Sequence, residues 1–374
     1  MRTVNLPHAI LLAAVIVRLI FSLGVTRGIQ NIAPETEVTD GYHRIAENLL
    51  SGHGYREVPE HPPTLKRPPA YVIFLYLVFK VAGVNYVAVQ IAQALLGALS
   101  CWILYRLARS LHSEELGLVA AGMFAVYPSA VEYSARLYAE NLYFPVFLGL
   151  AYFLCRAARE GSWRQGLAAG ALWGVSILTR GTLLLLPIFL AVVLLLMRRR
   201  VPVGRGLLRC SAVAALGAIL VVGPWTIRNY TVAREIIPVS TWGWAPFYHG
   251  IQVSKRMLAW DDLRKVDKEA EERRHEIVVQ RLYAGDRAKA WESPAEYVRH
   301  ERVARDLVLE EIRSDPLGYL ARGVAGVPFA WFQTLGPAKR VVSLILHIPL
   351  MVLFVLGVRR WRRQSAEGFA FAAP

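Results

Sequence analysis

Long apolar runs alternate with short basic hinges along most of this chain. Runs at 8–25, 86–108, 116–135, 137–157, 165–181, 182–198, 207–226 and 341–358 approach or reach the length of about 17–25 residues that crosses a hydrocarbon core. Two further runs are ambiguous: 69–82 holds only 14 residues, and 317–335 is interrupted by Arg322 and Pro328. The hinges decide between the options. Arg106 and Arg109, Arg156 and Arg159, Arg198 to Arg200 with Arg205 and Arg209, and Arg359 to Arg363 sit at the ends of runs, as cytoplasmic loops do. If 69–82 crossed fully, the hinge at 106–116 would face away from the later ones. With 69–82 and 317–335 held at the interface, every hinge falls on one side. The pattern therefore predicts eight spans, both termini cytoplasmic, and outward loops at 26–85 and 227–340. The stretch from Ala9 to Val25 looks like a signal peptide but lacks a small-x-small cleavage site, so it reads as an uncleaved first helix.

Composition agrees with the runs. Of the 374 residues, 55% are hydrophobic and 19% charged, with mean hydropathy +0.35, whereas soluble domains carry roughly 25% charged residues. The formal charge of +15 would fit nucleic acid if it were clustered on one polar face. It lies instead at run ends, where it meets anionic headgroups. Cys101, Cys155 and Cys210 are widely separated and form no CxxC pair. The expected class is an all-α polytopic membrane protein. A membrane module covers 1–250, with a juxtamembrane helix in its first outward loop. A polar helical segment follows over 251–316, then an interfacial helix, a last span and a basic cytoplasmic tail over 317–374. Within 251–316, Ser293-Pro294 reads as a helix start and Asp315-Pro316 as its end. This segment is read as a small cap over the outer mouth of the bundle, with a structureless linker as the alternative.

The first outward loop concentrates the candidate chemistry. From Gly41 the pattern is amphipathic, with Tyr42, Ile45, Ala46, Leu49 and Leu50 on one face and a stop at Ser51-Gly52. Asp40 precedes this helix, so it reads either as a helix cap or as a general base aimed at a substrate hydroxyl. In Lys66-Arg67-Pro68-Pro69-Ala70-Tyr71 the two prolines stiffen the backbone beside Arg67. A guanidinium at headgroup height suits a phosphate through paired hydrogen bonds, although a snorkelling anchor has the same composition. Arg136, Glu140, Arg180 and Arg228-Asn229 are further polar positions that the predicted topology brings to the same outer face. Charges there need a polar cavity or one another. His43, His53 and His61 match no metal-ligand spacing.

These residues resemble a known pattern. The order Asp40-x-Tyr42-x-x-x-Ala46-x-x-Leu49-x-x-Gly52-x-Gly54, then Arg67-Pro68-Pro69-x-Tyr71, is similar to bacterial glycosyltransferase family 39. So are Ala125-x-Tyr127-Pro128 with Glu140, Leu178-Thr179-Arg180, Pro224-Trp225-x-x-Arg228-Asn229-Tyr230 and Pro238-Val239-Ser240-Thr241. The family includes the dolichyl-phosphate-mannose protein mannosyltransferases, with the GT-C type of helix bundle, and the likeness runs from about residue 5 to 250. It implies that Asp40 acts as or orients the base, that Arg67 contacts the donor phosphate, that Glu140 lies on the acceptor side, and that Arg180 and Arg228 line the cavity rim. Relatives often carry a second acidic residue where this chain has Gly41.

The resulting expectation is an integral membrane glycosyltransferase with its active site facing the periplasm, set in a bacterial inner membrane. One sugar would pass, with inversion, from a polyprenyl-phosphate-linked donor to an acceptor hydroxyl on a glycan, lipid or protein. Asp40 is the catalytic candidate; Arg67, Arg180 and Arg228 are the donor-phosphate candidates. Tyr42, Tyr71, Arg136, Glu140 and Asn229 are the substrate-binding candidates. No cofactor is required by this scheme. A transporter or flippase of lipid-linked sugars, or a non-catalytic scaffold, fits less well, because the charges gather at one face and no half-repeat shows.

Overall fold

The computed structural model describes residues 6–26, 41–189, 205–241, 243–256, 263–286 and 293–330, and among them all regular structure is helical. Asp40, most of the predicted span 182–198, the predicted span 341–358 and the basic tail lie outside the described residues. The chain divides into two compact units, Met1–Thr241 with Trp291–Tyr297, and Trp242–Ala290 with Val298–Pro374.

In the first unit, α1 (Leu6–Thr26), α4 (Tyr86–Leu111), α7 (Glu140–Glu160) and α9 (Arg205–Ala233) each contain a stretch long and apolar enough to cross a membrane. The chain is thus a multi-pass membrane protein. The predicted span 116–135 is not one continuous helix. It comprises α5 (Glu114–Ala125) and α6 (Pro128–Ser134), bent by 54°. Pro128 supplies no N–H and forces Tyr127 into extended backbone (φ −62°, ψ 118°), so the hydrogen-bond ladder stops there. Chain entries are capped locally: Asn85 accepts from Ala88 N–H at the start of α4, and Ser113 from Leu116 N–H at the start of α5.

Between these lie shorter helices. α2 (Tyr42–Leu50) starts and stops where the pattern predicted. Its buried face holds Tyr42, Ile45 and Ala46; Leu50, expected there too, is exposed. Gly41 occupies the position before α2 with φ +78°, left-handed backbone that an acidic residue would adopt only under strain. α3 (Pro69–Ala82) has 14 residues, roughly 21 Å, too short to cross about 30 Å of hydrocarbon unaided. α8 (Trp163–Thr179) has 17 residues and packs between α7 and α9. Its glycines lie directly on the α9 backbone: a Cβ on Gly170 would sit 2.2 Å from Ala214 O, and one on Gly166 3.1 Å from Cys210 O. Where lipid supplies no hydrophobic drive between helices, such close approach is how spans associate.

The second unit is built from α10 (Trp244–Lys255), α11 (Leu263–Tyr283), most of α12 (Pro294–Ser314) and α13 (Pro316–Ala330). Its core contains Tyr248, Ile251, Val278, Val303 and Leu307. Glu301 caps α10, accepting from Gly243 N–H at 3.1 Å and Trp244 N–H at 2.6 Å. Burial pushes the Glu301 carboxyl up while those backbone bonds oppose the shift.

Candidate functional site

The residues singled out in the sequence fall into two neighbourhoods of the first unit, joined by buried polar contacts. The first is a strap, residues 55–67, between α2 and α3. Tyr55 donates its hydroxyl to the carbonyls of Arg67 (2.9 Å) and Pro68 (3.2 Å), so the backbone carrying Arg67 is held from behind. The Arg67 guanidinium lies over the Tyr42 ring, 5.1 Å from its centre. That stacking ties the guanidinium to the first turn of α2. Burial, then the neighbouring Tyr42, pushes the Tyr55 hydroxyl well above its ordinary range. It stays a neutral donor at any physiological pH.

The strap is also pinned from α9 and the segment after it. Arg228 donates to Thr64 O at 2.9 Å and to Asn229 Oδ1 at 3.1 Å, and its guanidinium stacks near Tyr55 (5.0 Å) and Trp225 (4.8 Å). The Thr241 N–H donates to Leu65 O at 2.8 Å. Tyr297 reaches the same strap: it bonds Thr64, and burial together with the nearby Glu57 carboxylate pushes its hydroxyl up to about 12. Arg228, a donor-phosphate candidate, steadies the strap behind Arg67 through its bond to Thr64 O. Asn229 was expected to touch substrate, yet it is fully buried and donates to Ile237 O and Val239 O. Arg228 touches the strap directly, and Asn229 meets it through Arg228.

The second neighbourhood follows the α5–α6 break. Glu132 on α6 holds Arg136 at 2.8 Å, and Tyr138 lies beside the same guanidinium. Glu140, at the first turn of α7, forms an ion pair with Arg180, which ends α8 in extended backbone (φ −143°, ψ 120°). The Arg180 side chain is 41% exposed and that of Glu140 20%, so the pair lies at a surface where a substrate can reach it.

The link between the two is buried. Tyr71, in the first turn of α3, is fully buried; it packs edge-on against Tyr42 and donates to Gln93 Oε1 at 2.5 Å. Gln93 in turn donates to the carbonyls of Ser134 and Arg136, and Asn141, next to Glu140, donates to Gln93 Oε1 at 3.1 Å. Tyr71, like Asn229, therefore supports the site from within. Sequence reading passed over Tyr55, Gln93, Asn141 and Glu132. A signal existed for two of them. Gln90 and Gln93 put two amides one turn apart inside an otherwise apolar run, and Glu132 stands four residues before Arg136.

No group of three or more His, Cys, Asp or Glu able to hold a metal ion occurs among the described residues. His43 is buried against the Tyr86 ring, its Nδ1 has no hydrogen-bond partner among the described residues, and burial lowers its pKa to about 4. It is neutral in the folded state at neutral pH.

Residues 66–227 match the family model described as dolichyl-phosphate-mannose-protein mannosyltransferase. The matched stretch covers less than half of the chain. It includes Arg67, Tyr71, Arg136, Glu140 and Arg180, whereas Asp40 and Tyr42 precede it and Arg228 and Asn229 follow it. The likeness first seen in the motifs is shown over this stretch, and it points to glycosyltransferase activity in general. No curated protein matches the chain.

Proposed function

Proceeding from that match, we propose that this protein transfers one sugar from a polyprenyl-phosphate-linked donor to an acceptor hydroxyl at the outward membrane face. The observation that carries the proposal is the setting of Arg67. A guanidinium on a strap tied down by Tyr55, Arg228 and Thr241 lies over Tyr42, which follows Asp40 by two residues in the chain. Asp40 takes the proton of the acceptor hydroxyl while its oxygen bonds to the anomeric carbon. The bond from that carbon to the donor phosphate oxygen breaks, its electron pair stays with the phosphate, and Arg67 balances the charge that develops there. A single displacement of this kind inverts the anomeric centre. The leaving phosphate departs as an anion and needs no acid.

Arg180 and Arg136 are each held by a carboxylate, Glu140 and Glu132. Their place suits hydroxyls of the acceptor or of the transferred sugar, with Glu140 as an acceptor of hydrogen bonds. No cofactor is called for by this scheme.

The test is mass analysis of glycans and envelope lipids in a strain lacking the protein, complemented by wild type, Asp40→Asn or Arg67→Gln at equal expression. A loss of one sugar that only wild type restores is the expected result. Full restoration by Asp40→Asn would overturn the mechanism.

A further inference from the structure

One buried cation has no part in that scheme. Arg18 stands in α1 roughly 18 Å along the helix from Leu6, and only 1% of it is exposed. A guanidinium at such depth is costly unless its donors are used. Its bonds go to carbonyls: Nη1 donates to Ala14 O (3.1 Å) and Ala125 O (2.9 Å), and Nη2 donates to Phe124 O (3.2 Å). No carboxylate pairs with it among the described residues.

The acceptors explain the position. Phe124 and Ala125 end α5 at the 54° break. In an unbroken helix, Phe124 O would accept from the N–H of residue 128, but that residue is proline. Backbone carbonyls within a bilayer must find partners inside the protein. Phe124 O keeps one backbone bond, from the Tyr127 N–H at 3.3 Å, and Arg18 adds donors to it and to Ala125 O where the proline and the bend remove the helical ones. The neighbouring helix leaves room for its side chain: a Cβ on Gly97 of α4 would sit 2.3 Å from Arg18 Nε and 2.7 Å from Cδ.

The break in turn aims α6 and the turn after it. Glu132 on α6 holds Arg136, and the carbonyls of Ser134, Ala135 and Arg136 are gripped by Gln93 and Gln90 of α4. Glu140 follows four residues later. We infer that Arg18 is a positioning residue: it clamps the α5–α6 break and thereby sets the 132–140 segment that presents Arg136 and Glu140. The catalytic half of this inference rests on the transferase reading; the clamp itself does not.

The experiment uses the full chain in lipid nanodiscs, with Arg18→Met, Arg18→Lys and Gly97→Ala. Hydrogen exchange over 124–136 is measured alongside release of polyprenyl phosphate from a mannosyl-phosphoryl polyprenol, with total envelope lipids and glycans supplying the acceptor hydroxyl, per folded molecule. For Arg18→Met, exchange over 124–136 should rise about 10-fold while the α8–α9 region is unchanged. Its kcat should fall about 10-fold or more with donor KM nearly constant, because Arg67 is held by a separate strap. Arg18→Lys, which can reach fewer carbonyls, should be intermediate. Gly97→Ala keeps the charge but displaces the side chain, and should reproduce both effects; it carries the test if Arg18→Met does not fold. Unchanged exchange over 124–136 in Gly97→Ala and in a folded Arg18→Met overturns the clamp. Faster exchange with unchanged kcat overturns the positioning role. If wild type releases no polyprenyl phosphate, the transferase reading is what fails, and exchange alone decides the clamp.

Discussion

The α8–α9 seam and the strap at 55–67 are held by opposite means. At the seam, Gly166, Gly170 and Gly174 lie against α9 with no room for a side chain, and contact is between backbones and small apolar groups. At the strap, Tyr55, Arg228 and Thr241 each make directional bonds to particular carbonyls. Shape alone suffices to join two spans, since close packing rewards any smooth pair of surfaces. It does not hold a guanidinium at one height and angle. That takes donors and acceptors whose geometry tolerates little error. Stability thus rests mainly on the seam and precision mainly on the strap, and three substitutions test that division.

The largest effect is expected at the seam. Gly170→Leu drives a side chain into Ala214 O and should cost at least about 3 kcal/mol, the upper range for overpacking, read as loss of the folded fraction on heating in detergent. Tolerance of that leucine would mean the two helices are not joined by shape. Next is Arg67→Gln. Turnover should fall by about 100-fold or more, the scale of removing one charge-stabilising donor. The thermal midpoint should barely move, because the side chain is partly exposed. A stability loss matching that of Gly170→Leu would erase the distinction.

Tyr55→Phe should have a smaller, mixed effect. Deleting the hydroxyl leaves the carbonyls of Arg67 and Pro68 without that donor, a cost of about 1 kcal/mol. Turnover should drop by roughly 10-fold through the displaced Arg67. Combined with Arg67→Gln it should add almost nothing to the kinetic loss, since both act through one guanidinium. Additive losses would show that Tyr55 works independently of Arg67.

The smallest effect concerns pH and His43. Its folded pKa of about 4 lies below the ordinary value near 6.5, so as pH falls the unfolded chain takes up the proton first. Stability is therefore flat above about pH 6.5, is lost progressively as pH falls toward 4, and changes no further below that. His43→Phe, which fits a buried position beside the Tyr86 ring, should flatten the decline of thermal midpoint between pH 6.5 and 4.5. An unchanged slope would assign the acid sensitivity to other groups.

Much of the bundle was legible before any coordinates. Apolar length identified α1, α4, α7 and α9, and the amphipathic spacing from Gly41 to the stop at Ser51-Gly52 located α2. Those properties are local: a run of apolar side chains long enough for lipid, or a 3.6-residue period, is written in consecutive positions. Tyr127-Pro128 was visible as a turn signal, yet the 54° bend within the predicted span 116–135 was not drawn from it. Whether a proline kinks, ends or merely decorates a membrane helix depends on who satisfies the freed carbonyls. Here Arg18 does so together with the Tyr127 N–H, and Arg18 reaches in from more than 100 residues away.

The residue types of the candidate site were therefore legible in the chain, and their partners came from tertiary contact. Arg67, Arg136, Glu140, Arg180 and Arg228 were all marked by the cost of charge near lipid. Sequence alone could not say that Arg228 would turn inward to Thr64 while the Arg180 side chain stays partly exposed. Nor could it say that Tyr71 and Asn229 would be sealed from solvent. Hydropathy reports how expensive a group is at a given depth. Which partner repays that cost is a matter of three-dimensional proximity between distant segments, and only the folded chain decides it.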